Sequence, residues 1–282
     1  YMPEDELRQA LKVYNRQCSQ YAKLKVVLVN NLIALSDQTF PGIDSLFGKT
    51  PRQDGHQKWI DFIKSYWHKD CIIKKSFKSF DNSYKKWCSK NGYHYQSNKT
   101  IDIYQLAYEA VARMPYNANT ALIITETANE LISLVDTLER LRIEMNRIAS
   151  QLPEYPVVLS LHGVGTTLGP QLIAEIGDVR RFHNRKALIA YAGIDSSPYQ
   201  SGTIDIKGRG ISKRGSATLR KTLFTVIDCI LRHKHTDELV YQFLDKKRAE
   251  GKHYYVYMIA GCNKFLRIYY AKVSEYLNSL EK

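Results

Sequence analysis

Two long stretches with helical hydrophobic spacing constrain this chain more than anything else in it. Over 4–36, Leu7, Leu11, Tyr14, Cys18 and Tyr21 recur at steps of four and three, and Leu24, Leu28, Leu32 and Leu35 continue the stripe after a one-residue shift. Over 119–151, Ile124, Ala128, Leu131, Val135, Leu138, Arg142, Met145, Ala149 and Leu152 do the same. Alternating steps of three and four keep one helix face apolar over many turns, which a strand cannot do. Both stretches are therefore predicted as long helices. Pro3 and Glu4-Asp5-Glu6 suit the start of the first, Pro41-Gly42 stops it, and Pro153 and Pro156 end the second. Arg142 breaks the second seam, and Leu141 and Ile148 offer an alternative one. Such helices pair antiparallel within one chain or bundle across two. A homo-oligomer, dimer or tetramer, is expected through this coiled coil.

The rest of the chain also reads as helical. Short helices are expected at 56–68, 70–79 and 81–90, one at 101–113, a short apolar one before the glycine-rich loop at 191–215, and further ones at 217–233, 236–249 and 252–278. Tyr254, Tyr257, Ile259, Phe265, Ile268 and Tyr269 in the last helix read as core packing. The expected fold class is mainly α. Its parts are a first coiled-coil helix at 1–40, a basic and aromatic helical insertion at 41–118, a second coiled-coil helix at 119–152 and a C-terminal helical domain at 153–282.

Charge narrows the partners. Lys and Arg number 41 against 28 Asp and Glu, a formal net charge of +13. The excess is concentrated: 180–221 holds ten Lys/Arg and two Asp, and 56–99 holds ten Lys and three Asp. A polyanion, nucleic acid above all, fits this distribution. No apolar run approaches the roughly 18 residues a membrane span needs, and the start shows no signal-peptide pattern. In 56–99 aromatics interleave with the lysines. They make either an aromatic core under a solvated lysine face or a groove where lysines track phosphates and aromatics stack on bases. Five scattered cysteines without a CxxC pair fit a reducing cytoplasm. His68, Cys71, Cys88 and His94 are conceivable zinc ligands, but their spacing matches no common template.

The stretch YAGIDSSPYQSGTIDIKGRGISKRG, 191–215, carries the candidate chemistry. Ser201 precedes a glycine in a Pro/Ser/Gly-rich loop, and Lys207, Arg209, Lys213, Arg214, Arg220 and Lys221 follow, with Arg180 and Arg181 upstream. Basic side chains beside glycine-punctuated backbone suit phosphates. Ser201 is then either a nucleophile held beside a phosphate or a plain turn residue; Tyr199 is the alternative nucleophile. Ser216 is expected to cap the following helix. Upstream, Gly163-Val164-Gly165-Thr166 lies between apolar segments at helical spacing, a helix-hairpin-helix-like pattern whose backbone N–H groups suit DNA phosphates, or else an ordinary turn.

The order SLHGVGTTLGPQLIAEIGDVRRF, ALIAYAGIDSSPYQSG, GRGISKRGSATLRKTL and GKHYYVYMIAGCNKFLRIYY resembles the C-terminal transposase domain of the bridge-RNA-guided insertion-sequence transposases, or bridge recombinases. ALSDQTFPGIDSLF and the long helix before it are similar to that family's middle region. The resemblance implies a DNA transposase that binds DNA and a structured guide RNA, with Ser201 as the nucleophile, working in the bacterial cytoplasm in association with the nucleoid. This chain has Ser201-Gly202-Thr203 where the family commonly has SGG or SGK. The resemblance also implies an acidic RuvC-like nuclease domain holding Mg2+ before Tyr1. No cofactor is expected within the chain itself, and the fragment alone is expected to be inactive.

Overall fold

The computed structural model describes residues 6–48, 50–195, 200–201, 204–205 and 210–281. Among these the fold is mainly α, with twelve α-helices and one two-residue-stranded hairpin. None of the described helices is long and apolar enough to cross a membrane. The chain divides into two compact units, one formed by 1–17 with 142–282 and the other by 18–141.

Helix α1 spans Glu6–Thr39 and α6 spans Ala118–Ala149, close to the expected limits. In α6 the predicted seam is the buried one: Ile124, Ala128, Leu131, Val135, Leu138, Met145 and Ala149 are buried, while Arg142 is exposed. In α1 the predicted stripe is buried at Leu11, Cys18 and Leu32 but exposed at Leu24, and Arg8, Asn15, Ser36 and Thr39 are buried as well. Polar side chains share this seam because each finds a partner, so hydrophobicity alone finds only part of it.

In the 18–141 unit, α2 (Lys58–Ser65), α3 (Asp70–Ile73), α4 (Phe77–Lys90) and α5 (Ser97–Glu109) lie between the long helices in sequence. The expected helix at 70–79 is only a single turn, because Ser76 caps α4 by accepting from Ser79 N–H. The aromatics go to the core. Phe62, Phe80 and Tyr84 are fully buried, with Trp59, Tyr66 and Trp87 nearly so. Phe62 stacks on Tyr66 at 4.7 Å between ring centroids, and Trp87 stacks on Tyr93 at 5.5 Å. Burial of Tyr66 pushes its hydroxyl up to about 12. The core reading of this aromatic run therefore holds over the stacking groove.

His68 is buried with both ring nitrogens in use: Nδ1 accepts from Asp70 N–H at 3.0 Å, and Nε2 faces Met114 O at 3.2 Å. Cys88 is buried in the apolar core. Among the described residues no group of three His, Cys, Asp or Glu could hold a metal ion. The cysteines are all free thiols.

The other unit packs the C-terminal helices together. They are α7 (Tyr155–Leu159), α8 (Leu168–Ile176), α9 (Arg185–Ala192), α10 (Ala217–His233), α11 (Leu239–Ala249) and α12 (Tyr254–Ser279). Leu172, Ile173, Leu188, Leu223, Val226, Leu244, Phe265 and Leu266 form its apolar interior. Tyr254 is exposed, against the expectation of core packing, whereas Phe265 and Tyr269 are buried as expected.

Candidate nucleic-acid interface

The glycine-rich loop leaves the end of α9 and returns at the start of α10, and its two ends are joined. Ser216 N–H donates to Tyr191 O at 2.7 Å, Lys213 N–H to Gly193 O at 3.0 Å, and Ser212 N–H to Asp195 O at 2.8 Å. The Ser212 hydroxyl also donates to Asp195 Oδ1 at 2.6 Å. The backbones touch here. A Cβ on Gly215 would fall 2.0 Å from Tyr191 O, and one on Gly193 would fall 2.6 Å from Gly215 N. Only glycine permits that approach. Gly193 is also left-handed, with φ +65°, and ends α9 as such residues do. Between the joined ends, β1 (Gln200–Ser201) pairs antiparallel with β2 (Ile204–Asp205), Ser201 opposite Ile204.

Ser201 thus lies in a short hairpin beyond a closed base. Its side chain, and the whole of Lys207 and Arg209, fall outside the described residues. Lys213 and Arg214 are exposed at the base, with Lys213 itself left-handed at φ 56°. Arg220 turns inward, donating to Ala192 O at 3.1 Å and Gly215 O at 3.3 Å, so it braces the two loop ends. Lys221 is exposed on α10.

Below the base lies a buried carboxylate that the sequence did not single out. Glu175 of α8 is fully buried. It accepts from Asn15 Nδ2 at 2.9 Å, from Arg16 Nε and Nη2 at 3.0 Å, and from the Ser216 hydroxyl at 2.9 Å. Ser216 in turn accepts from Leu219 N–H at 3.1 Å, the expected cap of α10. One carboxylate therefore ties the N-terminal turns of α1 to the point where the loop ends.

The remaining basic residues differ in their freedom. Arg180 is paired with Asp178 at 2.8 Å and with Glu281, and the Asp178 contact holds its guanidinium protonated more firmly than usual. Burial alone would raise the Asp178 carboxyl, but its hydrogen bonds to Arg180 outweigh this and hold it below the ordinary range. Arg181 lies over the rings of Phe182 and Tyr191, at 4.7 and 4.8 Å from their centroids. The Gly163–Thr166 turn sits apart from these, between α7 and α8. Gly163 is left-handed at φ +77° and packs on Ile230, while Gly165 faces open space and Thr166 is exposed. A pocket of about 420 Å³ opens here, lined by the turn together with His162, His233, His235, Cys229 and Glu238.

Comparison with known proteins bears on this unit. Residues 155–242 match the Transposase IS116/IS110/IS902 family. Over 152 residues the chain is 25% identical to an insertion element IS110 uncharacterized 43.6 kDa protein of Streptomyces coelicolor, covering 54% of this chain and 36% of that protein. It is 36% identical over 101 residues to a putative transposase of Sinorhizobium fredii, covering 36% and 25% of the two chains. It is 31% identical over 134 residues to a pilin gene-inverting protein of Moraxella bovis, covering 47% and 38%. The matched stretches thus span between a quarter and two fifths of these relatives. The loop, its base and the Gly163–Thr166 turn all lie within 155–242, so the transposase match covers the candidate interface.

Proposed function

We propose that this chain is the strand-transfer part of a DNA transposase or recombinase, with Ser201 as nucleophile on a DNA phosphate. One observation carries the reading: the hairpin bearing Ser201 stands on a closed, glycine-dependent base inside the segment that matches a transposase family. In the step, the Ser201 oxygen bonds to phosphorus and the bond from phosphorus to the leaving deoxyribose oxygen breaks. The serine proton goes to solvent, and the leaving oxygen takes one up. A hydroxyl is a weak nucleophile at neutral pH. Lys213 and Arg214 at the base can stabilise charge on the phosphoryl oxygens, the arginine bidentately. Among the described residues no group of three His, Cys, Asp or Glu could hold a metal ion.

Guide RNA falls to the lysine face of 56–99, whose aromatics are mostly in the core. A second reading, a non-catalytic nucleic-acid-binding and oligomerisation module, is favoured by Leu24, Val26 and Val27, which α1 leaves 51%, 59% and 63% exposed. Pairing these with a second copy makes the dimer or tetramer. The setting is the bacterial cytoplasm, on nucleoid DNA.

The test is a covalent adduct. The complete transposase is incubated with labelled target DNA and Mg2+, and protein-linked DNA is sought under denaturing conditions. Ser201→Ala is expected to abolish the adduct while leaving DNA binding within about threefold, since one uncharged hydroxyl is worth roughly 1 kcal/mol. Ser196→Ala and Ser197→Ala should keep it. An adduct that survives Ser201→Ala but is lost with Tyr199→Phe moves the nucleophile to Tyr199. The absence of any adduct in the wild type leaves the binding module as the function.

A further inference from the structure

A groove of about 820 Å³ runs beside the loop base. One wall is the base itself, through Ile194, Asp195, Gly210 and Ile211. The other is one face of α12, where Tyr255, Val256, Ile259, Asn263, Lys264 and Arg267 follow at helical spacing. Asn263 spans the two walls, its Nδ2 3.2 Å from Ile259 O and 3.5 Å from Ile194 O. At the mouth Tyr255 is 61% and Val256 54% exposed. Further along, Lys264 and Arg267 stand one turn apart, and neither has an ion-pair partner among the described residues. The carboxylate in the groove, Asp195, is engaged by Ser212.

An exposed aromatic followed by two cations without an ion-pair partner among the described residues, along an apolar trough, matches the chemistry of unpaired nucleotides. Bases stack on the ring, and phosphates pass the cations. A duplex is too wide and too stiff to lay its bases in such a trough, whereas a frayed strand is not. Resting on the proposed strand transfer, we infer that this groove holds unpaired DNA nucleotides flanking the phosphate presented to Ser201. Tyr255 stacks on a base, and Lys264 and Arg267 contact the backbone.

The test uses the 282-residue chain and fluorescent oligonucleotides of about twelve nucleotides, within the usual span of single-strand sites. Binding is read by anisotropy for single-stranded DNA, its duplex and the RNA of the same sequence. Tyr255→Ala should weaken single-stranded DNA binding roughly tenfold, as one lost base stack does, and duplex binding less than about threefold. Tyr255→Phe should restore it. Lys264→Gln with Arg267→Gln should flatten the single-strand salt slope by about 1.4, at ~0.7 per contact. Photocrosslinking of a 5-iodouracil strand should label Tyr255. Unchanged single-strand affinity in a folded Tyr255→Ala, crosslinks confined to other helices, or tighter binding of the RNA than of the DNA each overturns the inference. The assay involves no covalent chemistry. A missing adduct at Ser201 therefore sinks the strand transfer and leaves the groove a single-strand site only, while an intact adduct with unchanged binding sinks the groove alone.

Discussion

The Ser216 hydroxyl donates to Glu175 at 2.9 Å while accepting from Leu219 N–H at 3.1 Å, so one side chain both caps α10 and anchors the end of the Ser201 loop to a buried carboxylate. Asn15, Arg16 and Ser216 take the place of water around the buried Glu175 carboxylate. Removing Arg16 strands the charge. Arg16→Ala is expected to cost about 2 kcal/mol, less than for a fully buried pair because half of the guanidinium side is in water. Glu175→Ala should cost about 3 kcal/mol. Urea unfolding followed by circular dichroism measures both. A cost for Glu175→Ala within error of zero would mean that the network merely decorates the fold.

The two glycines of the Gly163–Thr166 turn should behave oppositely. A Cβ at Gly163 meets Ile230 Cγ1 at 2.6 Å and Val226 O at 3.0 Å, on a backbone already at φ +77°. Gly163→Ala is therefore expected to destabilise the fold by about 1–3 kcal/mol. At Gly165 nothing lies within 4 Å, so Gly165→Ala should leave the melting temperature unchanged. Any loss of duplex DNA binding by Gly165→Ala then reports a phosphate brought close to that backbone. Equal melting shifts in the two variants would contradict the packing described here.

Engagement by neighbouring groups sorts the basic residues. Lys213, Arg214 and Lys221 are exposed, whereas Arg180 is held by Asp178 and Glu281 and Arg220 by two carbonyls. Each phosphate contact on duplex DNA contributes ~0.9 to the slope of log K against log salt. Lys213→Ala with Arg214→Ala should reduce the slope by about 1.8, and Arg180→Ala should leave it unchanged. A slope that falls for Arg180→Ala and not for the double variant reverses this assignment.

What could be read from the sequence depended on whether the controlling partner is near in the chain. The α6 seam from Ile124 to Ala149 is apolar, and its spacing alone finds it. The α1 seam is legible that way only in part, at Leu11, Cys18 and Leu32, because Arg8 and Asn15 are buried against Glu154 and Glu175, more than 140 residues away. The Ser216 cap is local and was readable, while the Glu175 beneath it was an unremarked acid in an apolar helix. The loop was recognisable from its glycines, but its closed base joins Asp195 to Ser212, 17 residues on, and no spacing rule pairs them. Tyr254 reads as core because aromatics in a terminal helix usually are, and its exposure emerges only once α12 is packed.

His56 offers a pH test of the 18–141 unit. Its Nε2 lies 2.8 Å from Asp136 Oδ1 of α6, and its Nδ1 lies 3.5 Å from Asp61 Oδ2 of α2, so the ring bridges two helices. Burial opposes its charge, but Asp136, Asp61 and Asp54 together raise its pKa above 6.5. A raised folded-state value means that the charged ring stabilises the fold fully below the unfolded value, and that this contribution fades as pH rises through the folded one. Wild-type stability should therefore fall by more than that of His56→Gln between pH 6 and pH 9. Asp136→Asn should shrink the difference, since it removes the charge of the hydrogen-bonded partner while leaving Asp61 and Asp54 in place. Denaturant midpoints across the pH series measure it, with the proton signals of the ring followed by NMR to locate its titration. If wild type and His56→Gln track each other over that window, the bridge contributes nothing through its charge.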